Sequence, residues 1–568
     1  MDAAIQHETP REPGLAELDA DRLHDECAVF GIYDESRDVG RLTYFALQAL
    51  QHRGQESAGI ATGDGDTVMV NKDLGLVAQV FKESDFAALT GKVAIGHARY
   101  STSGGADSWE AAQPHLSTIG EEIIALAHNG TLVNTAALRV ELVDRGISFR
   151  SAADSEVAAK LIGYFTQQTH HLRDGIRRTM ELIEGAYAMV LITSDALYAF
   201  RDPNGIRPLV IGRFEPPDTG APREDAAYED SAYEDSAYED SAYEDSAYDG
   251  TSGGWVVASE TCALDIVGAS YVRDVAPGEV VRISAEGVTS EQAVPARRYT
   301  PCIFEHVYFA RPDSVMDGAS IQQSRVWMGR VLAKEAPADA DMCLGVPDSG
   351  VPGAIGFARE SGIPFAQGIV KNRYVGRTFI QPTQELRQMG IRLKLNPLRS
   401  VIEGRRLVVV DDSIVRGNTS RQLVKMLREA GAAEVHLRIV SPEVKWPCFY
   451  GIDTDTQDQL ISANRDVEGV REFTGADSLA FLSLEGLISA VGMKGDADHS
   501  ILDPGLEGTP VHHVCQADCS DAEFCTACFN GIYPVHIPEG FSEGSFLDGG
   551  RPPRNGDEAE QLSLPGLL

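Results

Sequence analysis

Polar residues fill positions 1–26, and the chain then turns abruptly apolar at Cys27-Ala-Val-Phe-Gly-Ile-Tyr33. A short unbroken apolar run of this kind predicts a strand buried on both faces. Residues 40–50 carry apolar positions at helical spacing, and Gln51-His-Arg-Gly-Gln-Glu-Ser57 leads into another short strand. Further strands are expected at 93–95, 123–127 and 187–193, and a helix over 155–166 with Asp154 and Ser155 as its N-cap. Residues 209–213 and 255–259 also read as strands, but between them Tyr-Glu-Asp-Ser-Ala recurs from Tyr228 to Tyr248. A period of five suits neither helix nor strand. Glu224 to Asp249 holds eleven acidic residues and no basic one, so self-repulsion favours an extended, solvated, disordered insertion at a hairpin tip, about 215–253.

Beyond 277–281, which closes the first unit, the pattern changes to strands alternating with helices. Strands are expected at 342–346, 363–366, 406–410 and 435–440, with an amphipathic helix over 421–430. Such alternation predicts a parallel sheet with helices on both faces. The expected division is a removable leader at 1–26, a first domain at 27–288, a second at 289–540 and a mobile tail at 541–568.

Composition narrows the function classes. The 568 residues leave room for roughly two to four domains. The 43% hydrophobic content excludes global disorder. A formal charge of −36 argues against a nucleic-acid-binding surface, but phosphate ligands held by local loops remain compatible with it. No apolar stretch approaches the ~20 residues of a membrane span, and positions 1–26 lack the apolar region of a secretory signal. Nine cysteines are too few for a disulfide scaffold. The expectation is a soluble cytoplasmic protein that binds neither nucleic acid nor membrane.

Chemistry is concentrated in Val408-Val-Val-Asp-Asp-Ser-Ile-Val-Arg-Gly-Asn-Thr-Ser420. A buried strand delivers Asp411 and Asp412 to its C-terminal end, where ligands of α/β sheets bind. The following loop, Ser413 through Arg416, Gly417, Asn418, Thr419 and Ser420, opens into a helix whose N–H groups can hold a phosphate. The carboxylates then face sugar hydroxyls or Mg²⁺. This run resembles the phosphoribosyl-pyrophosphate motif of type I phosphoribosyltransferases. Pro347-Asp-Ser-Gly350 is a candidate pyrophosphate and metal partner, and Lys371-Asn-Arg-Tyr-Val-Gly-Arg377 a basic lid.

Cys27 acquires a role if the bond before it is cut. Its free α-amino group, of pKa ~7.7–8.0, would then serve as base for its own thiol. Arg99 offers a guanidinium for a substrate carboxylate, Asn129 and Gly130 offer oxyanion donors, and Asp154 could take an ammonium group. This ordered set resembles the N-terminal-nucleophile glutamine amidotransferases. Cys27, Arg53, Arg99, Thr102, Asn129, Gly130 and Asp154 match that family's pattern. The resemblance implies glutamine hydrolysis through a thioester, an α+β fold of two stacked sheets between helices (αββα), and glutamine binding by the last six residues.

Cys525-Thr-Ala-Cys528 is a metal-ligand spacing. With Cys515 and Cys519 it permits a local zinc site; Cys302 and Cys448 are rival ligands, and Cys262 and Cys343 read as core. Glutaminase followed by phosphoribosyltransferase resembles the amidophosphoribosyltransferase family, in its class with a propeptide and a [4Fe–4S] cluster. That resemblance implies cluster ligation by Cys302, Cys448, Cys525 and Cys528, with structural Zn²⁺ as the alternative. It implies one Mg²⁺ per subunit, held by Ser349, Asp411 and Asp412, and phosphoribosyl pyrophosphate bound by the 411–420 loop with Lys371 and Arg377. It further implies a closed passage for ammonia, a homotetramer, and feedback inhibition by purine nucleotides. A hexosamine-forming glutamine enzyme would lack Val408 to Ser420, and a regulator on a phosphoribosyltransferase fold would have no use for Cys27, Arg99, Asn129 and Asp154.

Overall fold

A computed structural model describes residues 27–99, 109–120, 122–214, 253–372, 395–452, 456–492, 524–538 and 541. The leader, Thr102, the acidic repeat, Arg377, Cys515, Cys519 and the tail beyond 541 lie outside the described residues.

Every residue of the apolar run forms a buried strand, β1 (Ala28–Tyr33). Its alternate side chains serve two different layers. Ala28, Phe30 and Ile32 join the core under helices α1 (Val39–Ala49) and α5 (Thr261–Val267). Val29 and Tyr33 join the core between two stacked sheets. The period of two thus places β1 inside a four-layer αββα unit.

The first sheet has the order β11-β9-β10-β1-β4-β2-β3, with β2 (Ser57–Gly63), β3 (Val68–Leu74), β4 (Val93–Arg99), β9 (Val210–Phe214), β10 (Trp255–Ala258) and β11 (Ala269–Asp274). The second runs β13-β12-β8-β7-β6-β5, with β5 (His115–Ile119), β6 (Glu122–Leu132), β7 (Gly185–Ile192), β8 (Leu197–Arg201), β12 (Glu279–Ser284) and β13 (Gly287–Gln292). Helices α2 (Thr135–Asp144), α3 (Asp154–Thr169) and α4 (Leu172–Leu182) lie on this side, with Leu138, Ile162 and Met180 packed on its outer face.

Three details differ from the sequence expectation. Helix α3 already includes Asp154; its N-cap is Ala153, with no side-chain cap. The Asp154 carboxylate instead accepts from the Leu132 N–H at 3.0 Å, holding the end of β6. Strand β13 runs across the expected boundary at 288, because its pairing with β12 carries the sheet to Gln292. Residues 363–366 make only one bridge, Phe365 with Cys343, not a strand. The flanks of the acidic repeat do pair antiparallel, Val210 opposite Ala258 and Arg213 opposite Trp255, as a hairpin requires.

The second unit has a fully parallel sheet, β14-β17-β18-β19: β14 (Met342–Gly345), β17 (Arg406–Asp411), β18 (Glu434–Ile439) and β19 (Ser478–Phe481). Val408 and Val410 face a core shared with α6 (Ile321–Glu335), α7 (Gly350–Ser361) and α10 (Leu484–Val491). Leu407 and Val409 face α8 (Asn418–Glu429) and α9 (Val467–Thr474) on the other side. Short strands β15 (Ile369–Lys371) and β16 (Leu395–Pro397) form a separate antiparallel pair. The first core also takes in Val133, Ala186 and Ile206 of the first unit, so the two units share apolar packing. Among the described residues no helix is long and apolar enough to cross a membrane.

Candidate active site

Cys27 is buried at the head of β1. The register that pairs Ala28 with Ala98 leaves Cys27 and the buried Arg99 at adjoining strand ends. Across the sandwich, β6 packs against β1 and carries Asn129 and Gly130. Asn129 is fully buried, and neither its amide nitrogen nor its amide oxygen has a hydrogen-bond partner among the described residues. A buried amide left this way is costly unless a ligand completes it. Asp154 braces the same strand: besides Leu132, its carboxylate accepts from the Ser155 N–H at 2.7 Å and stands 3.6 Å from the His128 imidazole. Burial pushes its pKa up, but His128 and these N–H groups outweigh that and hold it below the ordinary carboxylate value.

The Arg53 guanidinium is held by two buried carboxylates. It donates from Nε to Glu260 and from Nη1 and Nη2 to Glu305, with Nη1 at 3.2 Å. Burial lowers its pKa, while the two carboxylates raise it further, so it is a permanent cation. Burial likewise favours protonated Glu260, but Arg53 and His52 hold its pKa well below the usual range. Glu260, Glu305 and Arg207 were not singled out by the sequence. Their links to Arg53 or to one another span 98 to 252 positions, a separation that no local motif records.

In the second unit β17 ends at Asp411, and Asp411 and Asp412 are both buried. Ser349 Oγ donates to Asp412, as does Ser413 Oγ at 2.6 Å. Gly350 permits this approach, since a Cβ there would lie 2.5 Å from the Val410 carbonyl and 3.1 Å from the Asp411 Cα. Helix α8 starts at Asn418 directly after Gly417, with no side-chain cap. The N–H groups of a helix's first turn point outward along its axis, so Thr419 and Ser420 at this helix start offer an anion site beside the half-buried Arg416. Lys371 reaches back from the end of β15 to Asp348 at 2.8 Å, joining the start of the basic loop to the Pro347–Gly350 turn. Ser349, Asp411 and Asp412 form an all-oxygen donor set, which suits a hard cation such as Mg²⁺.

Cys302, Cys448, Cys525 and Cys528 all belong to, or pack against, one apolar core. Cys302 and Cys525 form a parallel bridge, and Cys528 is close enough to the other three for their charges to raise its thiol pKa. Burial is the larger cause throughout and pushes Cys302 up to about 11. Sulfur donors gathered in an apolar pocket suit iron–sulfur or zinc chemistry. Among the described residues, however, no group of three or more His, Cys, Asp or Glu side chains is arranged to hold a metal ion.

The fold and these two sites define a glutamine amidotransferase joined to a phosphoribosyltransferase. A glutamine amidotransferase domain family matches residues 97–218, and a phosphoribosyl transferase domain family matches 317–441. The amidophosphoribosyltransferase of Synechococcus elongatus is 47% identical over 537 residues, 93% of this chain and 97% of that protein. That of Mycobacterium tuberculosis is 46% identical over 534 residues, 92% and 89% of the two chains. The solved glutamine phosphoribosylpyrophosphate amidotransferase of Bacillus subtilis, complexed with ADP and GMP, superposes with a TM-score of 0.74 at 42% identity, covering 90% of this chain and 98% of that one. The chain belongs to the amidophosphoribosyltransferase family, the glutamine-dependent pentosyltransferases that make 5-phosphoribosylamine in the first step of purine biosynthesis.

Proposed function

We propose that Cys27, once it carries a free α-amino group, attacks the glutamine amide while its own amine moves the proton. Asn129 and the Gly130 N–H hold the oxyanion, Arg99 and Thr102 take the substrate carboxylate, and Asp154 takes its ammonium. Water then releases glutamate from the thioester. The ammonia passes within the protein, because in bulk water it would be protonated and lose its lone pair. At the second site it displaces pyrophosphate from the anomeric carbon of phosphoribosyl pyrophosphate. The α8 start with Ser413, Arg416, Thr419 and Ser420 holds the 5-phosphate, Asp411 and Asp412 face the ribose, and Lys371 and Arg377 close over the diphosphate. The observation that carries this reading is the buried amide of Asn129, without a partner among the described residues, on the strand that packs across the sandwich against β1 and β4.

Ser349, Asp411 and Asp412 would hold Mg²⁺, which when bound offsets the charge of the departing pyrophosphate. Cys302, Cys448, Cys525 and Cys528 would hold a [4Fe–4S] cluster that ties the 524–538 segment to the transferase core; zinc is the second reading. A homotetramer in the cytoplasm, inhibited by purine nucleotides, completes the proposal; the Bacillus subtilis relative carries ADP and GMP.

The deciding experiment is intact-mass and peptide mapping of anaerobically purified protein, followed by pyrophosphate release. We expect a mature chain starting at Cys27 whose pyrophosphate release needs both glutamine and phosphoribosyl pyrophosphate. Cys27→Ala should abolish the glutamine-dependent reaction and spare the ammonia-dependent one. An active protein that retains residues 1–26 would overturn the nucleophile assignment.

A further inference from the structure

Strand β6 carries Asn129 and Gly130 on a stretch that β5 does not cover. Its pairing with β5 ends at Leu126 opposite His115, whereas β7 continues along the other edge from Ala127 opposite Val190 to Leu132 opposite Gly185. Buried backbone groups along such an edge must find partners elsewhere, and here side chains supply them. The His128 N–H donates to Gln113 Oε1 at 2.8 Å, and the His128 carbonyl accepts from His97 Nε2 at 3.1 Å and from Gln113 Nε2 at 3.5 Å. Four residues on, the Leu132 N–H donates to Asp154. Successive N–H groups of a strand point to opposite edges, so those of 128, 130 and 132 share the edge away from β7. Tyr187, opposite Gly130 on β7, agrees with this: its N–H donates to Asp202 at 3.2 Å and its carbonyl accepts from the Asp202 N–H at 2.8 Å. The Gly130 N–H thus lies between two backbone groups that side chains hold in place.

The two residues that grip His128 are themselves fixed. His97 shares with Val93 and Ile95 the face of β4 that looks into the apolar layer between the sheets, and it is fully buried. A carbonyl can only accept, so its bond to the ring sets the proton on Nε2. Burial pushes the His97 pKa down to about 3, which keeps the ring neutral and in that tautomer. A polar ring is costly in such a layer, and its N–H serves the one peptide group that precedes Asn129. Gln113 is buried as well. Its carbonyl backs onto Gly59 of β2, where any Cβ would clash with it. Lys72 of β3 donates from Nζ to the carbonyls on either side, Ala112 and Pro114, the latter at 3.2 Å. The first sheet therefore braces Gln113 while its amide grips the second.

We propose that His97 and Gln113 are positioning residues for glutamine hydrolysis: they stand in for the missing strand along β6 and aim the Gly130 N–H and the Asn129 amide at the oxygen that turns negative when Cys27 attacks. This rests on the oxyanion assignment above and adds what holds that backbone.

The test uses the full mature chain at saturating phosphoribosyl pyrophosphate and Mg²⁺, with kcat and KM for glutamine measured beside ammonia-dependent synthesis. The oxyanion develops only on the way to the transition state, so misaimed donors lower kcat and leave KM. We expect His97→Leu and Gln113→Met to lose about tenfold or more in kcat for glutamine, to hold KM within about twofold, and to keep ammonia-dependent synthesis. His97→Gln, which returns an N–H near the place of Nε2, should recover most of the lost kcat; packing alone would favour the apolar leucine. Lys72→Met leaves both residues in place, frees the carbonyls flanking Gln113, and should lower kcat by about threefold even where the other variants fail to fold. Wild-type kcat in every folded variant, or a His97→Gln no better than His97→Leu, would overturn the proposal and leave the site assignment standing. A rise in KM that accounts for the whole loss would overturn it too, by moving the two residues to substrate binding. Were Cys27→Ala to use glutamine as fast as the wild type, the site assignment would fall, and the proposal with it.

Discussion

Gly130 of the glutaminase unit lies directly against Gly451 of the transferase unit: a Cβ on Gly451 would meet the Gly130 Cα at 3.2 Å. The backbone assigned to the oxyanion is thus wedged by the chain that follows Cys448, Phe449 and Tyr450. Gly451 itself has φ +126, a conformation that side chains rarely adopt. Gly451→Ala should cost about 1–3 kcal/mol through this strain. It should also slow the glutamine-dependent reaction more than the ammonia-dependent one, because the added methyl pushes on Gly130. Thermal unfolding and the ratio of the two rates check both halves of this expectation.

The four clustered cysteines make a spectroscopic prediction. If they ligate a [4Fe–4S] cluster, anaerobic protein should be brown and contain iron, and serine at Cys302, Cys448, Cys525 or Cys528 should remove the colour. Serine at Cys262 or Cys343 should not, since both thiols are spent elsewhere: Cys343 Sγ donates to the Ala354 carbonyl at 3.4 Å and Cys262 packs in the first unit's core. Because burial raises the thiol pKa values, stripping the metal should leave neutral thiols and a less stable 524–538 segment, readable by limited proteolysis. Colourless protein containing zinc would transfer the site to the second reading.

A half-buried carboxyl pair predicts a pH effect on stability. Asp274, at the end of β11, accepts from Tyr271 Oη at 2.8 Å; burial first and then the Asp317 carboxylate raise its pKa to about 6. The folded value lies above the ~3.9 of an unfolded Asp, so the fold holds a proton that the unfolded chain has already lost. Stability contributed by this group therefore falls as pH rises from ~3.9 to about 6 and stays low above that. Asp274→Asn keeps an acceptor for Tyr271 and sheds the charge. We expect it to stabilise the protein at pH 7.5 by up to about 3 kcal/mol, less what Arg201 loses, and to do little at pH 4. Melting temperatures at the two pH values decide it; an equal effect at both would refute the titration.

What the sequence made legible was local. The run from Cys27 to Tyr33 reads as a buried strand because seven adjacent residues record it, and the Asp411–Ser420 loop reads as a phosphate site because strand, carboxylates and helix start are contiguous. Arg53 shows the limit. Its family pattern pointed to glutamine, yet its guanidinium is bound by Glu260 and Glu305, 207 and 252 positions away, and only tertiary packing brings them there. Asp154 misled for a related reason. A carboxylate at a helix start suits an N-cap, but the neighbouring β6 offered the Leu132 N–H, and the helix began one residue earlier.

The two sites should separate cleanly under substitution. Asn129→Ala removes the buried amide assigned to the oxyanion, and loss of one such donor typically costs about 10²–10³ in rate. That loss should fall on glutamine hydrolysis and on glutamine-dependent synthesis, while ammonia-dependent synthesis persists. Asp412→Asn should do the reverse. Its carboxylate accepts from Ser349 and Ser413, and an amide in its place can accept only on one side and brings no charge to a cation. Both syntheses should then fall together, with a raised Mg²⁺ requirement, while glutamine hydrolysis in the absence of phosphoribosyl pyrophosphate continues. Ser349→Ala should lie between, since it deletes one donor and no charge. Rates for the three variants with glutamine, with ammonia and across a Mg²⁺ titration would expose any failure: were Asn129→Ala to lose the ammonia reaction in step with the glutamine one, the amide would belong to the folding of β6 and not to the oxyanion.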